Sequence, residues 1–142
     1  MGIQSILDRK GAGVITIRAT ETVKSAADRM RARSIAALVV TSGDAIAGLI
    51  SERDIVHALA EHGAALLTMK VDQLMTRRVV TCRPEDTVAE LMARMTERRF
   101  RHLPVLKDGT LVGIVSIGDL VKSRLDEVEY EASSLRSFIV GA

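Results

Sequence analysis

Two stretches of the chain repeat one spacing of chemically capable residues. Gly48-Leu49-Ile50-Ser51-Glu52-Arg53-Asp54 and Gly113-Ile114-Val115-Ser116-Ile117-Gly118-Asp119 both read Gly-apolar-apolar-Ser-x-x-Asp. A serine three residues before an aspartate is first of all a helix start: its hydroxyl caps the N-terminus, and the carboxylate in the first turn complements the dipole. The same placement has a second capacity. A carboxylate fixed there can accept both hydroxyls of a ribose, each charge-assisted bond being worth about 1.5–3 kcal/mol. Free amides of such a turn also favour a phosphate. Other chemistries find less support. Cys82 has no histidine close in sequence and reads as a small buried hydrophobe. His57, His62 and His102 lack Cys, Asp or Glu partners at metal-ligand spacing, and GxxxxGK(S/T), HExxH and GxSxG are absent. With no nucleophile paired to a base, neither an enzyme, a catalytic cofactor nor a metal is expected.

Composition narrows the classes further. The 142 residues are 47% apolar and 27% charged, enough for one compact unit or two very small ones and incompatible with intrinsic disorder. Phe100, Phe138 and Tyr130 are the only aromatics, so the core must be Val, Ile, Leu, Ala and Met, and stacking platforms for bases are missing. A net charge of +2, from 20 basic and 18 acidic residues, speaks of solubility more than of a partner. The clusters Arg29/Arg31/Arg33 and Arg98/Arg99/Arg101 support nucleic-acid binding as the alternative function, weakened by the low net charge and the lack of a reading helix. Ile35 to Val40 and Ala45 to Ile50 are far too short to span a membrane, and the N-terminus lacks a signal-peptide layout. Ile6 stands where myristoylation wants Ser or Thr. A soluble protein with no membrane partner is expected, and the lone Cys82 fits a reducing, cytoplasmic location.

The elements that must position these residues are written twice. Displaced by 65 positions, Ile15 to Ala60 lies on Val80 to Leu125 without a gap, with 13 of 46 positions identical, among them Thr16/Thr81, Arg29/Arg94, Gly48/Gly113, Ser51/Ser116 and Asp54/Asp119. Each copy opens on a short strand (Val14 to Thr16; Val79 to Thr81). A helix follows, capped by Thr22 or Thr87, with an apolar face at Val23, Ala26, Ala27 and Met30 or Val88, Leu91, Met92 and Met95. Two strands (Ile35 to Val40 and Ile46 to Ile50; Phe100 to Leu106 and Leu111 to Val115) flank a turn holding Gly beside Asp, and a second helix starts at each serine. The fold class is therefore α+β: two β-α-β-β-α repeats, neither able to bury its own strands, packed about a pseudo-twofold axis. His62 to Gln73 reads as a loop and a short helical turn opening the second copy.

This doubled pattern, with Arg101-His102-Leu103-Pro104-Val105 in the second copy, resembles a tandem CBS domain pair, or Bateman module. The resemblance covers nearly the whole chain, residues 8–62 as one CBS domain and 73–126 as the other, and leaves outside it the first few residues and a C-terminal amphipathic helix, 127–142. It implies a regulatory protein binding an adenine nucleotide, with AMP, ADP, ATP, NAD(H) or S-adenosylmethionine as candidates, and a separate, unidentified protein as the regulated target. It further implies clefts that mix the copies. One would comprise Ser51, Arg53 and Asp54 with Thr81, Arg101, His102 and Pro104. The other would comprise Ser116 and Asp119 with Thr16, Ala36, Ala37 and Val39. The first carries Arg53, Arg101 and His102 for phosphates where the second has Gly118, Ala36 and Ala37, so the Asp54 site is expected to bind better.

Beyond the repeat, Val121, Leu125, Val128, Ala132, Leu135 and Ile139 step by four and three residues. This coiled-coil spacing outlasts what the module needs. A homodimer whose interface includes this helix is expected, with a helix folded back on its own domain as the alternative.

Overall fold

The computed structural model describes residues 2–11, 13–98 and 100–141. Two compact units emerge, one formed by Val14–Val80 and the other by Met1–Gly13 with Thr81–Ala142. In the first, β1 (Thr16–Arg18) leads to α2 (Val23–Arg33), β2 (Ala37–Ser42), β3 (Ala45–Ser51) and α3 (Glu52–His62), followed by short 3-10 turns over Gly63–Thr68 and Val71–Gln73. In the second, α1 (Ile3–Lys10) joins α4 (Val88–Arg98), β4 (His102–Lys107), β5 (Thr110–Ser116) and α5 (Ile117–Gly141).

Local chemistry explains these elements. Thr22 Oγ1 accepts the Ser25 amide at 3.2 Å and Thr87 Oγ1 accepts the Glu90 amide at 3.2 Å, so both helices expected after the first strands are capped as their sequence spacing implies. Each hairpin closes over two residues, Gly43-Asp44 between Ser42 and Ala45, and Asp108-Gly109 between Lys107 and Thr110. Asp108 and Gly109 both take positive φ, at 51° and 79°, as a type I′ turn requires. The first unit encloses Ile17, Ala26, Met30, Leu38, Val40, Ile50, Val71 and Met75, an aliphatic core with no aromatic ring.

The structure departs from the sequence reading in two places. β1 pairs parallel to β2 from Thr16↔Val39 to Arg18↔Thr41, whereas the strand expected over Val79 to Thr81 is absent. Its only trace is a parallel bridge at Cys82↔Val105, with the Cys82 amide donating to the Pro104 carbonyl at 3.0 Å. Extending that ladder backward needs an amide on Pro104, which proline lacks.

The second difference lies in the segments that precede each repeat. Val71, expected to open the second copy, is fully buried in the core of the first unit, where its amide donates to Glu21 O at 2.8 Å. Conversely α1, which precedes the first repeat, packs in the unit of the second: Ile3 and Ile6 are buried, and the Ile3 and Gln4 amides donate to Asp86 O and Pro84 O at 3.0 and 3.1 Å.

Candidate functional site

Both Ser-x-x-Asp motifs fold as helix starts. Ser51 and Asp54 form a reciprocal capping box: the Asp54 amide donates to Ser51 Oγ at 3.2 Å, and Asp54 Oδ2 accepts from the Ser51 amide at 2.9 Å and from Ser51 Oγ at 3.1 Å. Ser116 and Asp119 repeat it, at 3.1 Å for Asp119 N to Ser116 Oγ and 2.9 Å for Ser116 N to Asp119 Oδ2. The amide that opens each helix is also spoken for: Glu52 N donates to Ala36 O, and Ile117 N to Arg101 O, both at 2.9 Å. The free first-turn amides expected for a phosphate are thus largely consumed by the fold.

Within the first unit, the helix start and the entry to β2 come together. Ala37 pairs with Ser51, Ala36 supplies the carbonyl just described, and Thr16 pairs with the fully buried Val39 one strand over. Thr16 also uses its carbonyl, accepting Arg29 at 2.7 Å. Arg53 is exposed on the first turn of α3. Beside Ala36 and Glu52 an apolar cavity of about 450 Å³ opens, lined also by Met30, Ile35, Ile55 and Val56.

Within the second unit, His102 pairs with Ser116 where β4 meets the start of α5. Arg101 is exposed and its side chain has no protein partner among the described residues, while Pro104 is buried. Thr81 lies instead with Cys82, Asp86 and Arg94 around a polar cavity of about 540 Å³ that reaches the β4–β5 turn.

The two carboxylates differ in company. Asp54 meets no cation among the described residues. Asp119 Oδ2 accepts the Lys10 ammonium at 2.8 Å, and that ammonium also donates to Ile114 O at 3.0 Å. Burial alone would raise the Asp119 pKa, but the hydrogen bonds from Lys10 and the Ser116 amide outweigh it and hold the group below 3.8. The sequence pattern carries no sign of this pair, because Lys10 lies outside the repeat. Cys82 is buried: burial, then the Asp86 carboxylate, push its thiol to about 12, against the opposing Arg94.

The arginine clusters are partly committed to structure. Arg29 donates to Glu21 at 2.9 and 3.3 Å as well as to Thr16 O, leaving Arg31 and Arg33 exposed. Of the second cluster, Arg98 and Arg101 are exposed, and Arg99 lies outside the described residues. No group of His, Cys, Asp and Glu among the described residues could hold a metal ion, and no described helix is long and apolar enough to cross a membrane.

A helix-hairpin-helix unit present twice, with an opening strand in the first copy and a Ser-x-x-Asp cap on each closing helix, defines a tandem CBS pair. The CBS domain model matches residues 9–61 and 71–126, and the chain belongs to that family. It is 43% identical to the CBS-domain containing protein ATU1752 of Agrobacterium tumefaciens, whose crystal structure superposes with a TM-score of 0.83 over 87% of this chain and 99% of that one. The CBS domain-containing protein CBSX3, mitochondrial, of Arabidopsis thaliana is 36% identical over 126 residues, 85% of this chain but 61% of that protein, so the chain spans less than two thirds of this relative. The CBS domain pair of protein MJ0100, solved in complex with 5′-methylthioadenosine and S-adenosyl-L-methionine, is 26% identical, with a TM-score of 0.75 over 91% of this chain and 98% of that one.

Proposed function

We propose that this CBS pair is a non-catalytic regulatory module that binds an adenosine-containing ligand, AMP being the first to test. Asp54 would take the ribose hydroxyls and Arg53 the phosphate; Arg101 and His102 are assigned to the phosphate from the family pattern. One observation carries the reading: Asp54 is tied into its capping box, meets no cation among the described residues, and shares the first turn of α3 with Glu52, which lines a mostly apolar cavity suited to the face of a base. The complex of MJ0100 with two adenosine compounds supports the ligand class. As a regulator, the protein would act through a ligand-dependent change of shape or association, which requires different affinities for two states.

The test is calorimetry with AMP. Asp54→Ala should weaken binding at least roughly tenfold through loss of charge-assisted bonds, and Asp119→Ala should do less. Because Asp54 also caps α3, Asp54→Asn serves as the control: its amide oxygen still accepts the Ser51 amide while the charge is gone, and it should weaken AMP as Asp54→Ala does. Wild-type affinity in both variants would remove Asp54 from the site.

We also infer a homodimer joined through α5. Among the described residues α5 buries side chains only near its start, at Leu120 and Ser123. Leu125, Leu135 and Ile139 are 63%, 61% and 66% exposed, which supports a partner for the helix over the alternative of one folded back on its own domain. A second copy of α5 would cover this seam, and Phe138, 75% exposed, would join the buried surface.

A further inference from the structure

The two Ser-x-x-Asp carboxylates share a local fold and differ in one neighbour. Among the described residues Asp54 accepts only from its own capping serine, whereas Asp119 accepts the Lys10 ammonium at 2.8 Å in addition. Packing brings that lysine there. α1 buries Ile3 and Ile6 and lays Leu7 against Gly113, where a Cβ would overlap the leucine methyl. The last turn of α1 consequently lands on the start of α5. Two further bonds fix it, from Lys10 Nζ to Ile114 O at 3.0 Å and from Arg9 to Asp126 at 3.1 Å.

We propose that Lys10 determines which motif accepts ligand: it occupies Asp119 and leaves Asp54 as the acceptor for a ribose diol. This rests on the ribose reading given above. A diol approaching Asp119 must displace an ammonium already seated on the carboxylate and on the Ile114 carbonyl, and the displaced charge gains nothing from a neutral sugar. The pair is partly open to water, with side-chain exposures of 40% and 26%, so the bias is severalfold rather than an absolute block. Movement of α1 away from β5 would release Asp119 and make the second motif competent.

Two measurements on the full chain test this. First, the Asp119 carboxyl is followed by NMR through an acid titration in wild type and in Lys10→Met. Loss of the ammonium removes the strongest influence lowering its pKa, so the midpoint should rise. An unmoved midpoint overturns the proposal whether or not any nucleotide binds. Second, AMP affinity is measured in Asp54→Ala, in Lys10→Met/Asp54→Ala, and in that double variant with Asp119→Ala added. Removing Lys10 should raise affinity roughly threefold or more, and adding Asp119→Ala should abolish the gain. If wild type binds AMP and Lys10→Met/Asp54→Ala binds no better than Asp54→Ala, the proposal falls, and a loss of binding would reassign Lys10 as a ligand contact. If wild type binds no AMP although the midpoint moves, the ribose reading fails and takes the ligand selection with it, leaving the ion pair as a structural contact.

Discussion

Arg101 separates a backbone duty from the role proposed for its side chain. Its carbonyl accepts the first amide of α5 at 2.9 Å, a backbone duty that any residue could perform, while its guanidinium stands exposed without a protein partner among the described residues. Arg101→Ala should therefore leave the fold intact and weaken AMP while leaving adenosine nearly unchanged, because the phosphate is the group it would contact. Parallel calorimetric titrations decide this, and equal losses for both ligands would make Arg101 structural. Cys82 presents the opposite case. It is 2% exposed, and its thiol is pushed to about 12, so the folded protein should react with a thiol reagent at pH 8 far more slowly than the denatured chain. Reaction at the denatured rate would mean that the segment around Cys82 opens readily.

Among the elements, α5 and α1 extend beyond the repeat and behave differently. α5 runs 25 residues, about 37 Å at 1.5 Å per residue, and its large apolar side chains past Ser123 are at least 45% exposed. Truncation of Glu129 to Ala142 should shift the protein towards monomer in sedimentation velocity while AMP binding at Asp54 survives. A truncated chain that stays dimeric at low micromolar concentration would take α5 out of the interface. α1 is anchored at both ends of its own unit, by Ile3 and Gln4 amides on the Pro84–Asp86 turn and by Lys10 on Asp119. That second anchor is electrostatic. Its contribution is present above the unfolded carboxyl value near 3.8 and is lost as pH falls through the lower folded value. The stability difference between wild type and Lys10→Met should thus be constant from pH 7 to 5, remain under about 1 kcal/mol because both groups are partly solvated, and close in more acidic solution. Urea denaturation across that range measures it, and a gap that widens on acidification would contradict the assignment.

For the molecule as a whole, duplication set up two similar units, and departures from the duplicate made them unequal. Glu21 in the first unit reaches Arg29 at 2.9 Å and also accepts the Arg18 amide at 2.8 Å. In the second unit Asp86, shorter by one methylene, keeps the corresponding bond from the Arg83 amide at 2.8 Å and lies beside a polar cavity that Arg94 lines. On the proposals above, such a protein would present one motif to ligand and keep its twin occupied.

The sequence by itself determined the repeat, the capped helices, the Gly-Asp hairpins and the position of each Ser-x-x-Asp, because these rest on contacts within a few residues or on an offset visible as identity. It also indicated that the C-terminal apolar seam would be long, since helical spacing is local. Tertiary structure alone decided that Val71 serves the first unit and α1 the second, because a short apolar segment carries no label for the core it enters. It also decided that the strand over Val79 to Thr81 does not form, although Pro104 was in view: the cost of its missing amide appears only once the partner strand is known. Lys10 on Asp119 belongs to the same class. Two charges 109 residues apart meet when a helix docks, and no spacing rule reaches across that distance.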